Sequence, residues 1–400
     1  MTSIPTSATR RERHAMLHLR ELDWLMLVTV ALCCLGLVMA VSVRGSQIDV
    51  GPLAVMKSQG SKLLAGLALF LVAALVPMRV VQRFALPGFL VATACCLLPH
   101  VVSRDINGAA RWIHIGSLQF QPVEPARFCL VLAVAWLLAK AGSGVTTLRA
   151  GFLPAFGCTL LLAGALALQP DNGNALLVLG LAFAMALVAG VRFFYFLPIA
   201  IVGVGGVLVT ALQHDYVQGR LRDMLHTRPE SQVGLGLIAI GSGGLFGRGL
   251  GQGWMKMNYV PEAHNDFVFA IVAEEFGYLG SLFVLCAFTA FGWICFRIIC
   301  QVRDPFLRYV VCGYSLMICM QAAANLLVVS GWAPAKGIDL PFVSTGGTSL
   351  MFCLAAVGLI GNAARSDRAG TFATSAALAL AAGSPRSSAS VSPVSGSWRV

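Results

Sequence analysis

The sequence predicts an all-α membrane protein of about ten transmembrane helices, with a long extracytoplasmic loop between the seventh and the eighth. Three observations carry this. Of 400 residues, 58% are hydrophobic and 11% charged, where soluble domains carry about 25% charged residues; the mean hydropathy is +0.80. Apolar runs exceed the roughly 18 residues that cross a bilayer as a helix, and they lack the alternation of barrel strands. The Lys and Arg residues sit mainly between those runs, so the formal charge of +11 does not read as a nucleic-acid surface.

The first run, 24–43, follows a charged head and has no small-residue cleavage site after a short core, so it reads as a retained helix rather than a signal peptide. Further windows fall at 63–78, 84–103, 150–170, 172–191, 193–214, 276–296, 309–335 and 340–364. A tenth span, near 122–139, carries Glu124 and Arg127 in its first turns. The span centred on 276–296 is expected to start at Asp266. An even number of crossings places both termini on one side. Arg10, Arg11, Arg13 and Arg20 precede the first helix, and Arg79, Arg83, Lys140, Arg149, Arg192, Arg297, Arg303, Arg308, Arg365 and Arg368 share their side. By the positive-inside rule that side is the cytoplasm.

The chain thus divides into a basic cytoplasmic tail (1–22), a membrane domain (23–365) and a tail (366–400) rich in Ala, Ser, Gly and Pro that is expected to be disordered. The outer loop, 215–265, is long enough to be functional. Its Gln232–Leu250 portion is apolar and glycine-rich, which suits a short amphipathic or half-inserted helix at the outer face. The twelve cysteines form no Cys-x-x-Cys pattern and read as small hydrophobes. No internal repeat stands out, which weakens an inverted-repeat transporter reading.

Charge entering a membrane is expensive, so the polar residues at the outer ends of the helices are the candidates for chemistry. Asn107-Gly-Ala-Ala-Arg111-Trp112 reads either as an aromatic and basic interface anchor or as part of a site. In Gln121-Pro-Val-Glu124-Pro-Ala-Arg127 the acid and base lie three apart on one helix face and can pair. In Gln169-Pro170-Asp171-Asn-Gly173-Asn174, Asp171 can cap a helix or serve a site. The stretch Tyr259 to Gly277 sets Glu262, His264, Asp266, Glu274 and Glu275 at the mouth and first turns of an apolar helix. Asp266 can also be a cap there, and at least one of Glu274 and Glu275 is expected to hydrogen-bond within the bundle. Asp339-Leu-Pro-Phe-Val-Ser344-Thr-Gly346-Gly347-Thr-Ser349 opens the last span with hydroxyls and backbone N–H groups, which suits an anion or close helix packing. Gly247-Arg-Gly249-Leu-Gly251-Gln-Gly253 lacks the βαβ setting of a dinucleotide fingerprint.

Taken in order, NGAARWI, QPVEPAR, QPDNGNA, VPEAHNDFVFAIVAEEFG and LPFVSTGGTS resemble the motifs of the SEDS family, the RodA/FtsW polymerases of bacterial peptidoglycan. The resemblance runs from about residue 20 to 365 and is nearer the FtsW type. Arg127 stands where the family usually has Lys, Asn265 and Asn174 where it has Thr, and Thr345 where it has Tyr.

The resemblance implies a multi-pass enzyme of the bacterial inner membrane, with both termini cytoplasmic, that polymerises lipid II at the outer face. The donor would be the growing strand on undecaprenyl pyrophosphate, and Asp266 would be the general base toward the acceptor hydroxyl. Arg127 with Glu124, Arg111, Trp112, Asp171, Glu262, His264, Ser344 and Ser349 would bind substrate. The resemblance fixes no cofactor and leaves room for a divalent cation, magnesium or manganese. It implies a class B penicillin-binding protein, a transpeptidase, as partner. The alternative role is a lipid II transporter, which would need polar groups through the depth of both leaflets rather than at the outer half alone.

Overall fold

A computed structural model describes residues 7–44, 51–99, 112–115, 118–169, 171–197, 229–256, 265–334 and 337–383. The helices are α1 (Ser7–Arg44), α2 (Pro52–Leu75), α3 (Met78–Cys95), α4 (Val123–Ala141), α5 (Leu153–Leu168), α6 (Asn172–Ala189), α7 (Gln232–Ser242), α8 (Val268–Gln301), α9 (Pro305–Val329) and α10 (Gly347–Gly383). A two-stranded hairpin, β1 (Ile113–Ile115) and β2 (Leu118–Phe120), leads into α4. Eight helices among the described residues are long and apolar enough to cross a membrane. The span expected at 193–214 falls largely outside the described residues. α3 lies N-terminal to its expected window because Arg79 and Arg83 are taken into its first turns, where long basic side chains can reach an interface.

The bundle is built around α4, α9 and α10. α4 packs on α3, α5 and α9, and its Ala126, Leu130, Val131, Ala133, Val134 and Ala135 are buried. α2 shows why a membrane helix need not be amphipathic to be oriented. Leu64, Leu67, Leu71 and Leu75 repeat at the helical period and are exposed, as a lipid-facing stripe must be. Its other face lies along α10, where a Cβ at Gly66 would press on the side chain of Leu354 and one at Gly358 on the carbonyl of Phe70.

The two ends of the bundle differ. At the end where α1 and α9 begin, Glu21 pairs with Arg297 at 2.7 Å and accepts from Gln301 Nε2 at 2.9 Å. There Asp304 caps α9 through Leu307 N, and Asp367 accepts from the backbone N–H groups of Arg303 and Asp304. Asn362 Nδ2 donates to the last carbonyls of α2, at Ala73 and Val76. The acidic motifs lie at the opposite end, on the first turns of α4, α6 and α8.

α7 is the short apolar helix expected in the long loop, capped by Ser231 Oγ on Gly234 N. Two boundaries differ from expectation. α1 begins at Ser7, inside the segment expected as a tail, and α10 runs to Gly383, past position 366. Both extensions are made of good helix formers, the second of them alanine-rich, and each continues a helix already nucleated in the bundle.

α8 carries one sharp break. Gly277 adopts φ 68° and ψ −156°, outside the helical region, which only glycine enters without strain. The glycine-rich turn after α7 fills the break: Tyr278 N donates to Gly244 O and Leu279 N to Leu245 O. A Cβ at Gly277 would also collide with the backbone of Leu245 and Gly247. Gly277→Ala is expected to cost about 1–3 kcal/mol from backbone strain alone and more from the clash. A melting temperature in detergent that matches wild type would contradict this packing.

Candidate active site

The site is organised by the irregular segment between α9 and α10. Backbone that leaves helical form at membrane depth must find partners within the protein, and here polar side chains of α9 supply them. Asn325 Nδ2 donates to Asp266 O and to Ile338 O, both at 2.7 Å, while Gln321 Nε2 donates to Asp339 O at 2.9 Å and to Ser349 Oγ at 3.4 Å. Pro341 and Phe342 form the turn, with Phe342 at φ 65°. Ser344 Oγ closes it, accepting from Leu340 N at 2.8 Å and donating to Asn265 O at 2.6 Å. Thr345 Oγ1 donates to Asn265 Oδ1 at 2.8 Å. The segment therefore holds Asn265 directly, and Asn325 of α9 ties the backbone of Asp266 to it.

Three further groups meet this segment. From α2, Lys62 Nζ donates to Thr345 O at 3.0 Å, and its stem covers Gly347. From the foot of α4, Gln121 N donates to Thr348 Oγ1 at 3.4 Å, and Thr348 Oγ1 can donate to Gln119 O. The Asp266 carboxylate lies beside Gly337, where a Cβ would stand 3.1 Å from Oδ2. The Asp339 carboxylate lies against Gly346, at the start of α10 where a bound anion was expected, so the protein's own acid sits at that helix terminus.

Glu124 and Arg127 form the expected pair, Nη2 to Oε2 at 2.5 Å, both buried. The Arg127 Nε–H is buried with no acceptor among the described residues. The hairpin pairs Ile113 with Phe120; the same register continued sets half-buried Trp112 opposite Gln121.

Not every expected residue joins this group. Asp171 caps α6: Oδ1 accepts from Asn174 N at 3.4 Å and Oδ2 from Asn174 Nδ2 at 2.8 Å. No hydrogen bond among the described residues ties it to the segment before α10. Ser344 and Ser349 have their hydroxyls engaged by the fold. Arg111, Glu262 and His264 lie outside the described residues.

Glu274 and Glu275 bond within the protein, as expected of at least one of them. Glu274 accepts from Trp254 N and Met255 N, and Glu275 pairs with Lys256 at 2.7 Å, so both support packing of the glycine-rich turn. Sequence reading passed over Lys62, Gln321 and Asn325. A lysine and two amides inside apolar spans were the available signal. Among the described residues no three His, Cys, Asp or Glu side chains come together to hold a metal ion, and no step below is routed through one.

These features define a multi-pass, all-α membrane protein with an acidic and cationic site at one end of its bundle. A family model described as cell cycle protein, of the FtsW, RodA and SpoVE type, matches residues 23–369, and the chain belongs to that family. It is 36% identical to a probable peptidoglycan glycosyltransferase FtsW of Saccharophagus degradans, over 85% of this chain and 92% of the relative. It is 35% identical to the stage V sporulation protein E of Bacillus subtilis, over 66% of this chain and 73% of the relative. Among solved structures it is similar to a chain described under "Structural coordination of polymerization and crosslinking by a peptidoglycan synthase complex" (TM-score 0.71, 30% identity, 86% of this chain and 97% of that one). It is also similar to the rod shape determining protein RodA of Thermus thermophilus (TM-score 0.64, 30% identity, 86% and 96%).

Asn325→Leu keeps the volume but removes the donor from two carbonyls, and each buried group left unsatisfied costs about 1–3 kcal/mol. The expected result is a lower melting temperature, with hydrogen exchange at 338–346 rising more than in α4. Uniform exchange across the chain would count against this account of the segment.

Proposed function

We propose that this protein is a peptidoglycan glycosyltransferase that polymerises lipid II at the outer face of the bacterial cytoplasmic membrane, with both termini in the cytoplasm. The observation that carries the reading is that Asn325 of α9 ties the Asp266 backbone to the segment before α10, which Lys62 also meets, while the foot of α4 meets the first turn of α10. A carboxylate whose backbone is fixed to packed elements, in a fold that also buries a guanidinium, suits a reaction that takes one proton and releases an anion.

A sugar hydroxyl is a poor nucleophile until a base removes its proton in the transition state. Asp266 is assigned that role toward the 4-hydroxyl of the incoming lipid II. The acceptor oxygen attacks the anomeric carbon of the donor strand, the bond to undecaprenyl pyrophosphate breaks, and the configuration inverts. Charge grows on the leaving pyrophosphate, where fixed positive groups stabilise it most. Arg127 is suited to this because its Nε–H is buried without an acceptor among the described residues, and a phosphate oxygen would satisfy it. Glu124 holds the guanidinium in place, and Arg111 is a second candidate cation. Asp171, Trp112, Glu262, His264, Ser344 and Ser349 complete the proposed site, the two serines by shaping it. The lipid-facing grooves suit the polyprenyl tails.

The working partner we propose is a class B penicillin-binding protein whose transpeptidase crosslinks the new strands. A similar chain solved within a peptidoglycan synthase complex supports this.

Asp266→Ala is expected to leave a folded protein whose glycan synthesis from purified lipid II falls at least about 10²-fold, the usual contribution of a general base. Glycan ladders of normal intensity on a gel would remove Asp266 from that role. Movement of lipid II across vesicles without any polymer, in the wild-type protein with its partner present, would favour the transporter instead.

Arg127→Ala is expected to abolish polymerisation, while Arg127→Lys keeps a substantial part of it because the charge remains beside Glu124. An inactive lysine variant would show that the planar fork of the guanidinium, and not its charge, is required.

A further inference from the structure

A second buried ionic cluster lies away from the residues just described. Lys256 Nζ and Glu275 Oε1 are 2.7 Å apart, and neither side chain is exposed at all. Ser42 Oγ, from α1, lies 2.7 Å from both Glu275 oxygens and 2.9 Å from Lys256 Nζ. Next to them Glu274 accepts from Trp254 N at 2.8 Å and from Met255 N. The backbone joins in: Arg248 N donates to Glu274 O at 2.9 Å and Gly249 N to Glu275 O at 3.0 Å. Gly253 fits against Glu274, where a Cβ would stand 2.9 Å from Oε2.

This cluster clamps the chain at 254–256, just before residues 257–264. The far end of those residues is clamped at Asn265 and Asp266 by Ser344, Thr345 and Asn325. α1 braces both clamps, since Ser42 binds the first and Gly36 packs on the backbone of Val343 in the second, a Cβ there lying 2.9 Å from Val343 Cα. We propose that Lys256, Glu275 and Ser42, with Glu274, are positioning residues for the glycosyl transfer, acting on Asp266 through α1 and the first turns of α8. The proposal rests on the polymerase reading above.

A buried ion pair is a weak source of stability, because apolar residues of similar volume often do as well or better. What the pair supplies here is direction: it fixes the loop end against α8 and α1 together. A misplacement of about 1 Å in a reacting group can cost about 10²-fold in rate, so loss of the clamp acts on turnover more than on binding.

The test uses the full-length protein with purified lipid II, in the variants Glu275→Gln, Lys256→Met and Lys256→Met with Glu275→Met. Initial rates, melting temperature and hydrogen exchange are read together. Expected for the double variant are a melting temperature at or above wild type, a kcat at least tenfold lower, a KM within about twofold, and faster exchange at 254–264. A double variant that recovers both stability and kcat overturns the proposal, since the cluster would then only fill space. So does either single variant that keeps the wild-type kcat. Should these three fail to fold, Ser42→Ala, which leaves the ion pair in place, is read instead: a several-fold loss of kcat supports the proposal and an unchanged kcat overturns it. A wild-type protein that makes no polymer in the same assay defeats the polymerase reading itself.

Discussion

Backbone that is neither helix nor closed barrel has no water to bond with inside a bilayer, so every N–H and carbonyl it carries must be met by the protein. The segment 337–346 depends on meeting that demand. Two amide side chains on α9, Gln321 and Asn325, the hydroxyl of Ser344 and the ammonium of Lys62 meet several of these groups. Because those donors come from α2, α9 and the segment itself, satisfying the backbone also fixes where α10 starts. The same side chains hold Asn265 and Asp266. The site is thus a consequence of solving a solvation problem, and Asp266 inherits its placement from side chains that also serve the backbone.

Charge burial follows the same logic at two other places. Glu124–Arg127 and Lys256–Glu275 are both withdrawn from solvent, and each would be costly if one partner were lost. They differ in what remains unspent. Lys256 and Glu275 are enclosed with Ser42 and have no open direction. Arg127 keeps a buried donor without an acceptor among the described residues, and that is the difference between a group that holds the fold and a group suited to an incoming anion.

The glycines divide along the same line. Gly277 breaks α8 so that the turn after α7 can hydrogen-bond into the gap, and Gly36 lets α1 approach the backbone of Val343. Neither is a flexible hinge. Both are positions where a side chain would occupy space that another backbone needs.

The membrane class, most of the spans and the short helix at Gln232–Ser242 were legible from hydropathy, because burial in lipid selects for long apolar runs whatever the tertiary fold. The Glu124–Arg127 pair was legible too, since spacing along one helix decides it. That at least one of Glu274 and Glu275 bonds within the bundle was legible, but its partner was not. Acids at a membrane mouth carry the same local pattern whether they meet a substrate or a loop, and their partners, Lys256 and Ser42, stand far away in the chain. Asp171 was balanced between cap and site, and its capping bonds to Asn174 are visible only in coordinates. Lys62, Gln321 and Asn325 were invisible as a group because Lys62 lies far in the chain from the two amides and no local spacing relates them. Alone, the amino-acid order determined what must lie in the bilayer and which groups are too polar to be there without cause; the folded structure decided which of those groups face one another, because hydrogen bonds between distant segments depend on packing that no local pattern encodes.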